Sequence, residues 1–101
     1  MIGCDIVDIT RFKSRQERWA KRVLTDQELA EYQQRSNKLG YLAGRWAAKE
    51  AIFKAAGIIG GFDVLTNPNG SPYATGTASH ISVSISHEKT HAIAVVLINN
   101  V

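Results

Sequence analysis

The stretch WAAKEAIFK, residues 46–54, lies inside YLAGRWAAKEAIFKAAG, residues 41–57. Neither glycine nor proline interrupts 46–54, and its alanine, aromatic and aliphatic residues favour a helix. The pattern predicts one long helix from about Leu39 to Ala56, stopped by Gly57, Gly60 and Gly61. On such a helix Ala43, Trp46, Glu50, Phe53 and Gly57 share one side. A carboxylate in an apolar stripe must find a cation or a donor, or take up a proton. Glu50 therefore has two readings. It pairs with Lys54 one turn later at the margin of a core, or it is an oxygen ligand for a hard divalent ion.

Outward from this helix, both ends of the chain read as strands. The tract FDVLTNPNGSPYAT, 62–75, has a turn between Asn67 and Pro72 and a strand on either side. In ISVSISHEKTHAIAVVLI, 81–98, Ser82, Ser84 and Ser86 alternate with Ile81, Val83 and Ile85. A junction at Glu88-Lys89-Thr90 leads into a nearly all-apolar strand, expected at the centre of the sheet. IGCDIVDI, 2–9, is a further strand. Ile2, Cys4, Ile6 and Asp8 fall on one face, and Gly3, Asp5, Val7 and Ile9 on the other. Residues 11–23 read as a helix with Phe12, Trp19 and Val23 along its apolar edge. Thr25 followed by Glu28 has the form of a capping box and opens a second short helix running to about Gln34. A turn follows within QQRSNKLG, 33–40. The expectation is one α+β domain over residues 1–101, an antiparallel sheet packed on a long central helix.

With 101 residues and 45% apolar side chains, a core is feasible but small, so self-association is expected to help. No apolar run is long enough to span a membrane. The N-terminus has acids and no basic region before its apolar residues, unlike a signal peptide. Cys4, alone, makes no intramolecular disulfide or thiolate metal site, in keeping with a reducing cytoplasm. The net charge is +3, and half of the Lys and Arg residues lie between Arg11 and Arg22, against Glu17 alone. Arg11, Arg15, Arg18 and Arg22 are four, three and four apart, which on a helix is one ridge suited to carboxylates or phosphates. No zinc spacing, helix-turn-helix or aromatic RNA-binding strand accompanies it, so nucleic acid is not the expected partner.

Asp5 shares a strand face with Val7 and Ile9, and Gly3 beside it leaves room for something to approach. Paired with Glu50 it would give the two carboxylates that Mg²⁺ with retained waters needs. His80, His87 and His91 lack zinc spacing. Ser86 and His87 are adjacent on a strand and point opposite ways, and no G-x-S-x-G elbow exists, which argues against a hydrolase. These serines and His87 are better placed as donors to phosphate oxygens near a strand end.

The chain resembles the holo-acyl-carrier-protein synthases, small bacterial 4'-phosphopantetheinyl transferases. The resemblance rests on GCDIVDITRF at 3–12, WAKRVLT at 19–25 with Glu28, YLAGRWAAKEAIFKAAG at 41–57, NGSPY at 69–73 and VSISHEKTHAIAVVL at 83–97. It implies an enzyme of fatty acid and lipid biosynthesis that transfers 4'-phosphopantetheine from coenzyme A to a serine of apo-acyl carrier protein, releasing adenosine 3',5'-bisphosphate. It implies that Asp5 and Glu50 hold Mg²⁺, that Glu50 helps remove the serine proton, and that Lys54 contacts the pyrophosphate. Arg45, Ser86 and His87 become contacts for coenzyme A, and Arg11, Arg15, Arg18 and Arg22 the docking element for the acidic carrier protein. A cytoplasmic homotrimer with active sites between subunits is implied as well. Two positions depart from the family pattern: Ser71 stands where lysine is usual and Ser82 where histidine is common, with His80 two positions earlier. The chain is also shorter, mostly at 34–40 and 58–80. The competing expectation is a non-catalytic module whose basic helix binds an acidic protein or nucleic acid.

Overall fold

In the computed structural model, which describes residues 1–77 and 79–100, a three-stranded antiparallel sheet carries the long helix across one face. Its strands are β1 (Ile2–Asp8), β4 (Ser79–His87) and β5 (His91–Asn100), ordered β1-β5-β4. β5 is central, as its apolar composition predicts. β2 (Asp63–Thr66) and β3 (Pro72–Thr75) form a separate hairpin. Its turn closes through Asn67 N–H to the Ser71 carbonyl at 2.8 Å, and Gly70 takes the positive φ of 92° that the turn requires.

The helix, α3 (Lys38–Ala56), is capped by the Asn37 side chain and ends where Gly57 adopts a left-handed φ of 72°. It presents Ala43, Ala47, Ala48, Ala51 and Ile52 to the inner sheet residues Val7, Ala92, Ala94, Val96 and Ile98, all buried. Small residues on the helix let its backbone come close to the strands. At Gly3 the approach is so close that any Cβ would run into the Ala51 carbonyl oxygen. That contact locks β1 against the last turns of α3 and so decides where Asp5, two residues along the same strand face, will stand.

Residues 11–23 are not one helix. A 3₁₀-helix (Ile9–Arg15) starts at Asp8, whose Oδ1 accepts from Thr10 N–H at 2.9 Å. α1 (Gln16–Val23) follows after Arg15 adopts a non-helical φ of −141°. The three-residue repeat of the first segment puts Ile9 and Phe12 on one side, and both are buried. Burial of that pair outweighs continuity with α1, so the expected single helix is interrupted at Arg15 and Arg11 falls on the 3₁₀ segment, apart from the other arginines. The predicted capping box is present: Thr25 Oγ1 accepts from Glu28 N–H, and Glu28 Oε1 from Thr25 N–H, opening α2 (Asp26–Gln33).

β5 is covered on one face only. Ile93, Val95 and Leu97 alternate outward, beside Ile2 (74% exposed) and Ile6 (64% exposed) of β1, giving the sheet an apolar outer face. Among the described residues no helix is long and apolar enough to cross a membrane.

Candidate active site

Asp5 and Lys54 meet. β1 pairing fixes Asp5 opposite Ala94, and the Gly3 contact brings the last turn of α3 alongside. There Lys54 Nζ donates to Asp5 Oδ1 at 2.8 Å and lies 3.4 Å from the Cys4 carbonyl oxygen. The Asp5 side chain is 13% exposed and that of Lys54 55%, so a fixed carboxylate is met by a solvated, movable ammonium. The hydrogen bond to Asp5, and then its charge, holds the Lys54 ammonium above its ordinary range, with Glu50 adding to the effect. Glu50 stands one turn before Lys54, and its carboxylate accepts no hydrogen bond among the described residues. The intrahelical Glu50–Lys54 pair is thus replaced by a bridge from α3 to β1.

Glu50 lines a groove with Trp19, Arg22, Trp46, Lys49 and Ile59. Phe12, Trp19 and Trp46 pack edge to face at 5.4–5.8 Å, which anchors the basic segment to the turn of α3 that bears Glu50. Arg15, Arg18 and Arg22 line a second, narrow depression with Trp19. Arg11 stands apart with its guanidinium 5.0 Å from the Trp46 ring centre. Three of the four predicted arginines therefore converge, and the fourth sits over an aromatic ring next to Glu50's turn.

The remaining predicted residues lie elsewhere. Arg45 is buried, donating from Nε to the Val64 carbonyl at 3.0 Å and from Nη2 to Thr66 Oγ1 at 2.7 Å, with Glu31 Oε1 at 3.5 Å. Burial lowers the Arg45 pKa from its ordinary value, partly offset by Tyr41 and Glu31. Arg45 and His87 both border a depression with Arg35, Asn37 and Thr66. Ser86 and His87 border another with Ile6, Glu88, His91 and Ile93. Ser71 is held in its turn by Asn69 Oδ1, and Ser82 is exposed on β4 opposite Leu97.

Two acids have partners far along the chain that the sequence did not signal. Glu28, fully buried, accepts from Thr25 N–H, from Val64 N–H at 2.6 Å and from Lys49 Nζ at 2.6 Å, while Lys49 also donates to the Val23 carbonyl. Glu31 accepts from Tyr41 Oη, Thr66 N–H and Thr66 Oγ1. Burial pushes the Glu31 carboxyl up, but those donors and the Arg45 charge outweigh it and hold it below its usual value. The capping pattern points to Glu28 as a local residue. Nothing in its spacing signals partners 21 and 36 positions away.

Chemically, the Asp5 carboxylate and the Cys4 carbonyl offer hard oxygen donors beside a solvated ammonium, which suits a divalent cation and a polyanion. The model of the 4'-phosphopantetheinyl transferase superfamily matches residues 1–96. The chain is 38% identical over 111 residues to the holo-[acyl-carrier-protein] synthase of Chlorobaculum tepidum, covering 95% of each. It is 40% identical over 112 residues to that of Bacillus subtilis, covering 96% of this chain and 93% of the relative. The crystal structure of a holo-(acyl-carrier-protein) synthase from Bacillus anthracis in complex with CoA (3',5'-ADP) superposes with a TM-score of 0.88 at 31% identity, covering 99% of this chain and 96% of that one.

Proposed function

The chain belongs to the 4'-phosphopantetheinyl transferase superfamily, and from that membership we propose that it moves 4'-phosphopantetheine from coenzyme A to a serine hydroxyl of apo-acyl carrier protein, with Asp5, Glu50 and Lys54 at the reacting centre. The observation that carries this assignment is the convergence of β1 and α3. Lys54 spans from α3 to Asp5 at 2.8 Å, with Glu50 one turn earlier beside the arginine-lined surface.

The donor types fit Mg²⁺: Asp5 and Glu50 would hold it through carboxylate oxygens. When bound, the ion supplies charge neutralisation at the diphosphate. The protein's residues do the rest. The serine oxygen attacks the phosphorus that bears pantetheine, the bond to the bridging oxygen breaks, and adenosine 3',5'-bisphosphate leaves. Glu50 takes the proton given up by the serine. Lys54, long and solvated, reaches the leaving phosphate and neutralises its growing charge. Arg15, Arg18 and Arg22, with Arg11 over Trp46, attract the acidic carrier protein and orient its serine toward Glu50.

The functional unit in this reading is a cytoplasmic homotrimer. Its support is the apolar outer face of Ile2, Ile6, Ile93, Val95 and Leu97, which water would otherwise cover. The depressions bearing Arg45, Ser86 and His87 are not those that Glu50 lines, so coenzyme A contacts from these residues are assigned to the cleft with a neighbouring copy. Intact-mass spectrometry of apo-acyl carrier protein incubated with this protein, coenzyme A and Mg²⁺ tests the reaction. A gain of about 340 Da, abolished by a chelator, is the expected result. No gain across several carrier proteins would refute it. Light scattering tests the assembly: Val95→Lys is expected to leave monomers.

A further inference from the structure

We propose that Lys54 is a built-in competitor for the metal position on Asp5, so that a divalent ion and the anionic cosubstrate each favour the other's binding. The inference rests on the assignment of Asp5 and Glu50 as metal ligands. Lys54 Nζ is bonded to Asp5 Oδ1 at 2.8 Å with the Cys4 carbonyl oxygen 3.4 Å away. Oδ1 is one of the oxygens that a hard cation would use, and an ammonium bonded to it repels a second cation there, so the ion binds best once the ammonium has withdrawn. The two partners differ in freedom. Asp5 is held by the β1–β5 pairing and the close approach of Gly3 to Ala51, whereas Lys54 is more than half exposed on a flexible stem. Exchange therefore moves the lysine and leaves the carboxylate in place.

A displaced ammonium needs another anion. The diphosphate of coenzyme A supplies one, and Lys54, leaving Asp5 to meet it, frees the carboxylate for the ion. The coupling is reciprocal: whatever coenzyme A does for metal affinity, the metal does for coenzyme A. The same lysine is thus a guard on the metal position in the free protein and an anion contact in the loaded one.

The test is Mn²⁺ binding followed by electron paramagnetic resonance on the full-length native protein and on Lys54→Met, Asp5→Asn and Arg22→Gln. Without coenzyme A, Lys54→Met is expected to bind Mn²⁺ about threefold more tightly, the size of a solvated ion-pair contact. Arg22→Gln removes a cation from the Glu50 groove without touching Asp5, and is expected to shift affinity less. Saturating coenzyme A is expected to tighten Mn²⁺ more in the native protein than in Lys54→Met. Unchanged or weaker metal binding in Lys54→Met overturns the proposal. So does an equal gain in Arg22→Gln, which would reduce the effect to net charge, or an equal coenzyme A enhancement in both proteins. Mn²⁺ binding that survives Asp5→Asn intact overturns the metal-site assignment itself.

Discussion

α3 carries cation–carboxylate pairs on two sides, and they differ in how completely their acids are satisfied. On the side facing α2, Glu28 collects Lys49, Thr25 N–H and Val64 N–H, and Glu31 collects Tyr41, Thr66 and Arg45. On the side facing β1 and the groove, Asp5 has Lys54, and the Glu50 carboxylate has no hydrogen-bond donor among the described residues. Glu28, fully buried, must be fully partnered because the interior offers no water to substitute, and Glu31, 23% exposed, is saturated as well. Asp5, although only 13% exposed, and Glu50 keep spare lone pairs that a metal or a proton can use. Residue type alone does not separate structural from reactive carboxylates, whereas the degree of saturation does.

Glu50→Gln tests the contrast hardest. The transferase rate is expected to fall about a thousandfold with the unfolding midpoint little changed, since nothing in the fold leans on that carboxylate. A midpoint that falls with the activity would place Glu50 among the structural acids. Glu28→Ala should do the reverse. Stranding Lys49 and the Val64 amide is expected to cost about 3 kcal/mol in urea unfolding, and a variant as stable as the native protein would erase the distinction.

Arg18→Glu sharpens the comparison on the docking surface. We expect the KM for carrier protein to rise about tenfold, kcat to stay near native, and the salt dependence of kcat/KM to flatten. A fall confined to kcat would contradict a docking role. The smallest effect concerns Glu31. Its folded pKa lies below the ordinary 4.5, so its contribution to stability is complete above the unfolded pKa and is lost as pH falls through the folded one. Glu31→Gln should therefore flatten the decline in stability below about pH 4.5. An acid limb as steep as the native one would show that other carboxylates cause it.

Much of the architecture was readable before any coordinates. Alternating serines and β-branched residues disclose β4, the apolar run discloses β5, and Thr25 with Glu28 discloses the start of α2, because each signal is local. The basic segment misled for the same reason. Its arginine spacing obeys a helical period, but burial of Ile9 and Phe12 imposes a 3₁₀ segment that the spacing does not reveal. Trp46 and Glu50 were visible as neighbours on a helix; the packing of Trp46 with Trp19 and Phe12 beneath Arg11 was not.

The element order, the family resemblance and the residue types available for chemistry are all legible along the chain. These follow from periodicity, turn residues and motif order along the chain. Which acid each cation serves is a matter of packing: Lys54 takes Asp5 across 49 positions, and Lys49 takes Glu28 across 21. Such pairings depend on how closely two elements approach. For Lys54 and Asp5 that distance is set by a missing side chain at Gly3 and a row of alanines on α3, acting through contacts between segments that are far apart in the chain.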